Sequence, residues 1–176
     1  MLKVSQPSPS FTLEGVAQDG ETFQRYAVSE GGRGRWTVIF FYPMDFTFVC
    51  PTEITAFGKA FEEFQKLDAD VYGISTDSVH AHKAWIAQDL GKLPFPLLAD
   101  PTHDVSRQYG VLLEDKGIAL RGLFIVDPDG MLRYQLVHDL RVGRTVQETL
   151  RVLAALQTGE LCPIDWTPGT KTLGKA

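Results

Sequence analysis

Two cysteines, Cys50 and Cys162, carry the most reactive side chains of the sequence. Cys50 directly precedes Pro51, which fits the first turn of a helix because its missing N–H is not needed there. The start of a helix has free N–H groups and the positive end of the helix dipole, and both favour an anion. The thiolate is the nucleophilic form of cysteine, so this position suits redox chemistry. The hydroxyl of Thr47, three residues earlier, could donate a hydrogen bond to the sulfur or to a substrate oxygen.

An inert role is the alternative for both cysteines. Two cysteines in a chain of 176 residues can serve simply as small hydrophobic residues. Phe46, Phe48 and Val49 are neighbours of Cys50 in the sequence, and an apolar environment disfavours the thiolate. The residues around Cys50 therefore leave both interpretations open.

The elements that position Cys50 follow from the hydrophobic pattern. Residues 36–42 are β-branched and aromatic, are apolar on both faces and stop at Pro43, which predicts a buried central strand. A short loop containing Cys50 follows. Apolar residues then recur every three or four positions, which predicts an amphipathic helix from Pro51 to about Leu67.

The rest of the chain continues this alternation of strands and helices. Asp77 and Ser78 are candidate helix caps, and the turn at residues 127–130 predicts a β-hairpin. The expected elements are a strand at 71–75, a capped helix after it, an apolar segment at 95–98, a short helix near 105–109, the hairpin 123–136 and a helix at 145–156. A central parallel pair extended by an antiparallel hairpin predicts an α/β sandwich of the thioredoxin type.

Composition excludes several classes of protein. The chain is 44% hydrophobic with a net charge of −5, which favours one globular domain and argues against nucleic acid as a partner. The apolar stretches are far shorter than the roughly 20 residues that span a bilayer, so no membrane association is expected. The first residues lack the apolar core of a signal peptide, and two cysteines are too few for a secreted disulfide scaffold. We therefore expect a cytoplasmic protein.

Residues 41–53 read Phe-Tyr-Pro-Met-Asp-Phe-Thr-Phe-Val-Cys-Pro-Thr-Glu. This segment resembles the peroxidatic-cysteine segment of the typical two-cysteine peroxiredoxins, the alkyl hydroperoxide reductase C and thioredoxin peroxidase type. The similarity runs from about Phe11 to Leu173 in the order of the family, through segments 75–78, 82–85, 95–100, 120–128, 142–144 and 159–163 and through Trp166. It implies a thioredoxin-like fold with a central mixed sheet flanked by helices, and a C-terminal arm.

The resemblance implies a thiol peroxidase and gives roles to three residues near the reacting sulfur. Cys50 would attack the terminal oxygen of hydrogen peroxide or an organic hydroperoxide and become a sulfenic acid. Thr47 would hydrogen-bond the peroxide and polarise it. Arg121 would keep the thiolate ionised and stabilise the charge that develops on the oxygens. Without the resemblance, Arg121 would be interpreted as an ordinary solvated charge.

The matching positions imply supporting roles for three further residues. Pro43 would shield the site from water and shape the substrate pocket, while Glu53 and Arg144 would orient the arginine that faces the sulfur. No cofactor is expected.

Cys162 resembles the resolving cysteine of the family, which comes from the partner subunit in typical two-cysteine members. A sulfenic acid beside a second thiol condenses to a disulfide, and the family brings the two sulfurs together by unwinding the first helical turn around Cys50. Thioredoxin, or a flavoprotein disulfide reductase, would then recycle the disulfide. We expect a homodimer that assembles into a decamer. We also expect a peroxidase domain over residues 1–158 and an arm over residues 159–176 that carries Cys162.

Two departures from the family pattern concern over-oxidation. Sensitive eukaryotic members have a Gly-Gly-Leu-Gly insertion and a C-terminal Tyr-Phe helix, whereas this sequence has Tyr-Gly-Val-Leu-Leu-Glu at residues 109–114 and closes with Gly-Lys-Ala. We therefore expect resistance to over-oxidation. Ile164 and Asp165 replace the Ala-Asn that the family often has before Trp166, which leaves the docking of the arm open.

Three other kinds of protein share some of these features. A dithiol-disulfide oxidoreductase would have Cys-x-x-Cys, but position 53 is glutamate. A structural or holdase-like ring assembly could coexist with catalysis. A metal site is not expected, because His80 and His82 are two positions apart and do not face each other on a helix, and His103 and His138 have no zinc-type spacing.

Overall fold

The computed structural model describes residues 2–28 and 34–175, which form a seven-stranded mixed sheet with helices on both faces. The strands are β1 (Phe11–Val16), β2 (Phe23–Val28), β3 (Trp36–Phe41), β4 (Ala69–Ser75), β5 (Leu97–Ala99), β6 (Leu112–Leu113), β7 (Ile118–Ala119), β8 (Arg121–Val126) and β9 (Leu132–His138). The helices are α1 (Cys50–Lys59), α2 (Phe61–Lys66), α3 (Val79–Trp85), α4 (Asp104–Gln108) and α5 (Val146–Thr158), and a π-helical turn, Ile86–Leu90, follows α3. Within residues 2–28 and 34–175, no helix is long and apolar enough to cross a bilayer.

The order of strands in the sheet places β3 near its centre. The order is β2-β1-β5-β4-β3-β8-β9, while β6 and β7 form a separate small pair. Strands β3, β4 and β5 run parallel, and β8 is antiparallel to β3 with Phe40 opposite Leu123. Because neighbouring antiparallel strands run in opposite directions, the start of β8 lies beside the end of β3.

The core has two halves, one on each face of the sheet. Side chains of β3 alternate between them: Val38 and Phe40 pack with α1, α2 and α5 on one face, whereas Ile39 and Phe41 pack with α4 on the other. This explains why β3 is a continuous apolar run, since a strand covered on both faces has no solvent side. Phe40 stacks on Phe57 of α1 with ring centroids 4.4 Å apart, so the helix that begins at the site is held against the central strand.

The predicted fold class is confirmed. The strand over residues 71–75 and the hairpin of β8 and β9 are also present as predicted. Ser78 caps α3 as predicted, because its side chain accepts a hydrogen bond from the Ala81 N–H. The prediction of one helix from Pro51 to about Leu67 is wrong. The chain breaks at Ala60 into α1 and α2. The hairpin of β1 and β2 was not predicted. Most residues of β2 are exposed, so this strand lacks the apolar alternation by which a sequence indicates a strand.

Candidate active site

Cys50 is the first residue of α1, immediately after the loop of residues 42–49 that leaves β3. The residue is fully buried, and its thiol is free. The N-cap residue of α1 is Val49, which has no side-chain acceptor and makes no capping hydrogen bond. The first helical turn, with the sulfur on it, therefore lacks the side-chain hydrogen bond that usually stabilises the start of a helix.

Arg121 begins β8 and reaches the sulfur because the start of β8 lies beside the end of β3. Its Nη1 is 3.5 Å from the Cys50 Sγ and also donates to Glu53 Oε2 at 2.5 Å. Its Nε donates to the carbonyl of Leu140 at 2.8 Å. The side chain is 3% exposed, so the guanidinium is fixed between these partners and its positive charge is directed at the sulfur.

Glu53 lies on the first turn of α1 and links two arginines. It accepts hydrogen bonds from the backbone N–H, the Nε and the Nη2 of Arg144 at 2.7, 2.8 and 3.1 Å, in addition to that from Arg121. Burial alone would raise the pKa of the Glu53 carboxyl, but the hydrogen bonds and the charge of Arg144 outweigh burial and lower it. Glu53 is therefore a carboxylate at neutral pH.

Arg144 completes a buried charged cluster, defined as Cys50, Glu53, Arg121 and Arg144. Its Nη1 donates to the carbonyl of Gly122 at 2.5 Å, and its guanidinium lies over the Phe40 ring at 5.6 Å. Burial lowers the pKa of Arg144, which the carboxylate of Glu53 opposes. With Cys50 as a thiolate, the cluster holds two positive and two negative charges. Buried charges are tolerated when they are paired in this way, so the cluster can accommodate a negative charge on the sulfur.

Pro43 and Thr47 lie on the loop that precedes Cys50. Pro43 is buried next to the end of β3. The Thr47 Oγ1 donates to the carbonyl of Met44 at 2.9 Å. A hydroxyl has one proton, so in this conformation Thr47 can accept but not donate a further hydrogen bond.

Cys162 lies after α5, in the segment expected to form the arm. Its thiol is free and half-buried. The sulfur contacts the Thr158 Oγ1 at 3.6 Å, and it donates weakly to the carbonyls of Ala155 and Glu160, both at 3.8 Å. These contacts tie the sulfur to the end of α5. Leu161 also pairs with the chain end through hydrogen bonds to Leu173 and Gly174.

Comparison with known proteins identifies the family. Residues 4–135 match the model of the AhpC/TSA family. The chain is 55% identical to "Putative peroxiredoxin YkuU" of Bacillus subtilis over 176 residues, 97% of each chain. It is also 49% identical to "Peroxiredoxin-2" of Cricetulus griseus over 97% of this chain and 89% of that one. The chain belongs to the peroxiredoxin family.

Solved structures agree with this peroxiredoxin assignment. The reduced 2-Cys peroxiredoxin of Plasmodium vivax superimposes with a TM-score of 0.93 at 33% identity, over 98% of this chain and 93% of that one. AhpC of Enterococcus faecalis superimposes with a TM-score of 0.86 at 36% identity, over 93% of this chain and 100% of that one. The chain is thus a thiol-dependent peroxidase whose substrate is a peroxide, and its 2-Cys relatives imply a homo-oligomer. A purely structural assembly is not favoured.

The sequence did not predict that Asp45 and His82 of this peroxiredoxin form a buried pair. The His82 Nδ1 is 2.7 Å from Asp45 Oδ2, and both side chains are almost completely buried. A signal was present, because His82 is three residues from both Val79 and Trp85 and so shares the buried face of α3. In the described part of the chain, no group of three or more His, Cys, Asp or Glu side chains could hold a metal.

Proposed function

We propose that Cys50 is the peroxidatic cysteine and that Arg121, Glu53, Arg144, Thr47 and Pro43 support its reaction. The observation that carries the proposal is the guanidinium of Arg121, 3.5 Å from a buried sulfur at the start of a helix. Both the guanidinium and the helix N-terminus favour negative charge on that sulfur.

In the first step, the Cys50 thiolate attacks the terminal oxygen of a hydroperoxide, ROOH. An S–O bond forms and the O–O bond breaks, so the sulfur loses two electrons and the peroxide gains them. The products are the sulfenic acid of Cys50 and an alkoxide RO⁻, which takes a proton to leave as ROH. The Nη1 of Arg121 already faces the reacting sulfur, so it can stabilise charge on the oxygens as the bond breaks. Thr47 can hydrogen-bond the peroxide after its hydroxyl leaves the Met44 carbonyl.

In the second step, the thiol of Cys162 from a partner subunit attacks the sulfenic acid. The S–S bond forms, the S–O bond breaks, and water is released. Both sulfurs must leave their present surroundings, since Cys50 is buried and Cys162 is held at the end of α5. The uncapped first turn of α1 is the part of that helix that unwinds most readily. In this proposal residues 1–158 are the peroxidase domain, and residues 159–176 are the arm that releases Cys162.

In the third step, an external dithiol reduces the disulfide and is itself oxidised to a disulfide. We favour thioredoxin over a flavoprotein disulfide reductase, on the resemblance to thioredoxin-dependent members. Cys162 borders a surface cavity of about 520 Å³ that Arg151, Glu160 and Ile164 also line, which supports access of a protein dithiol from this side. A decameric ring of dimers and a cytoplasmic location belong to the same proposal.

The test uses variants with one cysteine each. Wild type treated with one equivalent of hydrogen peroxide should give a dimer-sized band on a non-reducing gel, and Cys50→Ser should consume no peroxide. A mixture of Cys50→Ser and Cys162→Ser subunits should again give the band, because an intersubunit disulfide needs only one intact cysteine from each chain. If the mixture gives no band although wild type forms the disulfide, the pairing is within one chain. If Cys50→Ser still consumes peroxide, the assignment of Cys50 is wrong.

A further inference from the structure

A second set of hydrogen bonds, separate from those of the charged cluster, holds the loop of residues 43–49 in place. Asp45 accepts hydrogen bonds from the Tyr42 hydroxyl at 2.9 Å and pairs with His82 at 2.7 Å. Its backbone N–H donates to Asp77 Oδ2 at 3.0 Å, and the Ser75 hydroxyl donates to the same oxygen at 2.7 Å. One loop residue is therefore bound to the ends of β3 and β4 and to α3.

Both oxygens of the Asp45 carboxyl and both ring nitrogens of His82 have hydrogen-bond partners. The His82 Nε2 lies 3.1 Å from the carbonyl of Leu98, an acceptor, so this nitrogen must carry a proton. The other ring nitrogen, Nδ1, pairs with Asp45 Oδ2 at 2.7 Å and also lies 3.4 Å from the Tyr42 hydroxyl oxygen. A buried pair of this kind is tolerated while both members are present, and removal of one leaves the other without its partner. The pair therefore attaches the loop firmly to α3.

The loop contains a strained backbone conformation that the neighbouring contacts must maintain. Phe46 has φ of 55°, a left-handed conformation that is costly for a bulky residue. Its ring is half-exposed and contacts Trp85 of α3 with centroids 5.9 Å apart. Such backbone conformations persist only when the surrounding contacts impose them, and they concentrate at functional sites. Asp45, the residue before Phe46, is held by the hydrogen bonds given above.

The loop also controls access to the sulfur. Cys50 is fully buried, so both a peroxide and the thiol of Cys162 can reach it only after nearby groups move. Peroxide attack and disulfide formation require different conformations of the loop. Attack on peroxide requires Cys50 to stay near Arg121, whereas disulfide formation requires Cys50 to leave it.

We propose that Asp45 and His82 are positioning residues, whose buried pair holds the loop of residues 43–49 in the conformation for peroxide attack and delays its release for disulfide formation. The proposal rests on the proposed role of Cys50. It extends the site to α3, which no other part of the reaction uses. The pair touches neither substrate nor the reacting sulfur and acts through the loop alone.

The test measures the two steps separately in the full-length protein. Stopped-flow tryptophan fluorescence after mixing with hydrogen peroxide gives the second-order rate of peroxide attack and the first-order rate of disulfide formation. Asp45→Asn and His82→Leu should slow the attack roughly 10- to 100-fold, since a shift of about 1 Å at a reacting group costs on the order of 10²-fold. Disulfide formation should stay at the wild-type rate or become faster.

Several variants separate positioning from general loss of structure. His82→Asn keeps a donor near the position of Nδ1 and should recover part of the attack rate that His82→Leu loses. The double variant of Asp45→Asn with His82→Leu should be no slower than the worse single variant, because each residue acts through the other. Asp127→Asn is the matched control. This buried carboxylate binds Arg133 and two backbone N–H groups at the opposite end of β8, so its loss should leave the ratio of the two rates unchanged.

Equal slowing of both steps, or no change in either, would overturn the proposal. If Asp45→Asn and His82→Leu do not fold, Tyr42→Phe removes only the hydroxyl that donates to Asp45 Oδ1 and keeps the ring in the core. A several-fold slower attack with unchanged disulfide formation is then expected, and unchanged attack would overturn the proposal. Peroxide consumption by Cys50→Ser would instead refute the role of Cys50, which keeps the two failures distinct.

Discussion

Replacing Glu53 with glutamine tests whether one carboxylate holds the charged cluster together. Glu53 accepts four hydrogen bonds, three from Arg144 and one from Arg121. The amide keeps the shape of the side chain but removes its charge and exchanges one acceptor oxygen for a donor. Two buried guanidinium groups then lose the carboxylate that separates them.

The size of the stability loss follows from the burial of the Glu53–Arg144 ion pair. Glu53 and Arg144 side chains are 3% and 0% exposed, and breaking a buried ion pair by changing one partner costs about 3–5 kcal/mol. For a chain of this length, such a loss lowers Tm by roughly 6–20 °C. The loss of folding stability caused by Glu53→Gln should therefore be large at neutral pH.

The same substitution predicts a pH dependence. Burial favours the neutral carboxyl, but Arg144 outweighs it and lowers the pKa of Glu53 below its usual 4.5. A group whose pKa is lowered by folding stabilises the fold above its unfolded pKa, and this contribution is lost as the pH falls through the folded pKa. The difference between wild type and Glu53→Gln should thus be complete at neutral pH and should shrink progressively below pH 4.5.

Urea unfolding followed by circular dichroism, at one fixed subunit concentration and a series of pH values, measures this difference. Glu148→Gln is the control, since Glu148 pairs with Arg151 on the surface with a side chain 40% exposed. An exposed pair of this kind contributes less than about 1 kcal/mol. The reasoning is refuted if Glu53→Gln costs no more than Glu148→Gln, or if its effect is the same at acidic and neutral pH.

Two further substitutions address catalysis. Arg121→Met removes the guanidinium that faces Cys50 and should lower the second-order rate of peroxide consumption on the order of 10²- to 10³-fold in stopped-flow fluorescence; a decrease under tenfold would contradict its role. Thr47→Val removes the hydroxyl from a side chain of nearly the same shape and should slow the same step about tenfold, whereas Thr47→Ser should stay close to wild type. Equal rates for the valine and serine variants would show that the hydroxyl is not used.

The parts of the fold predicted from sequence are those that local pattern determines. Strand β3 is apolar on both faces, and Pro51 marks the start of α1, so the place of Cys50 at a helix N-terminus follows from adjacent residues. Ala60 does not break the apolar periodicity, so the pattern gave no sign that α1 ends there. Strand β5 has only three residues and is a strand because β1 and β4 lie on either side of it.

The charged cluster depends on contacts that no local pattern contains. Arg121 meets Cys50 and Glu53 because β8 is antiparallel to β3, and the sequence alone does not give the order of strands. Only the resemblance to the peroxiredoxin family predicts the roles of Arg121 and Glu53. The pair of Asp45 and His82 was missed for a related reason: a histidine on a buried helix face is noticeable, but its partner lies on a loop far away in the sequence.

The equal numbers of positive and negative charges around Cys50 have a consequence for what happens after the reaction. In the proposed reaction, oxidation converts the Cys50 thiolate to a sulfenic acid, so Arg121 loses one of its two anionic partners and keeps the other, Glu53. The attraction between Arg121 and the Cys50 sulfur is therefore expected to weaken once the sulfur is oxidised. If Cys50 is the peroxidatic cysteine, as proposed, we expect its oxidation itself to favour unwinding of the first turn of α1, so that the reaction triggers the conformational change that disulfide formation needs.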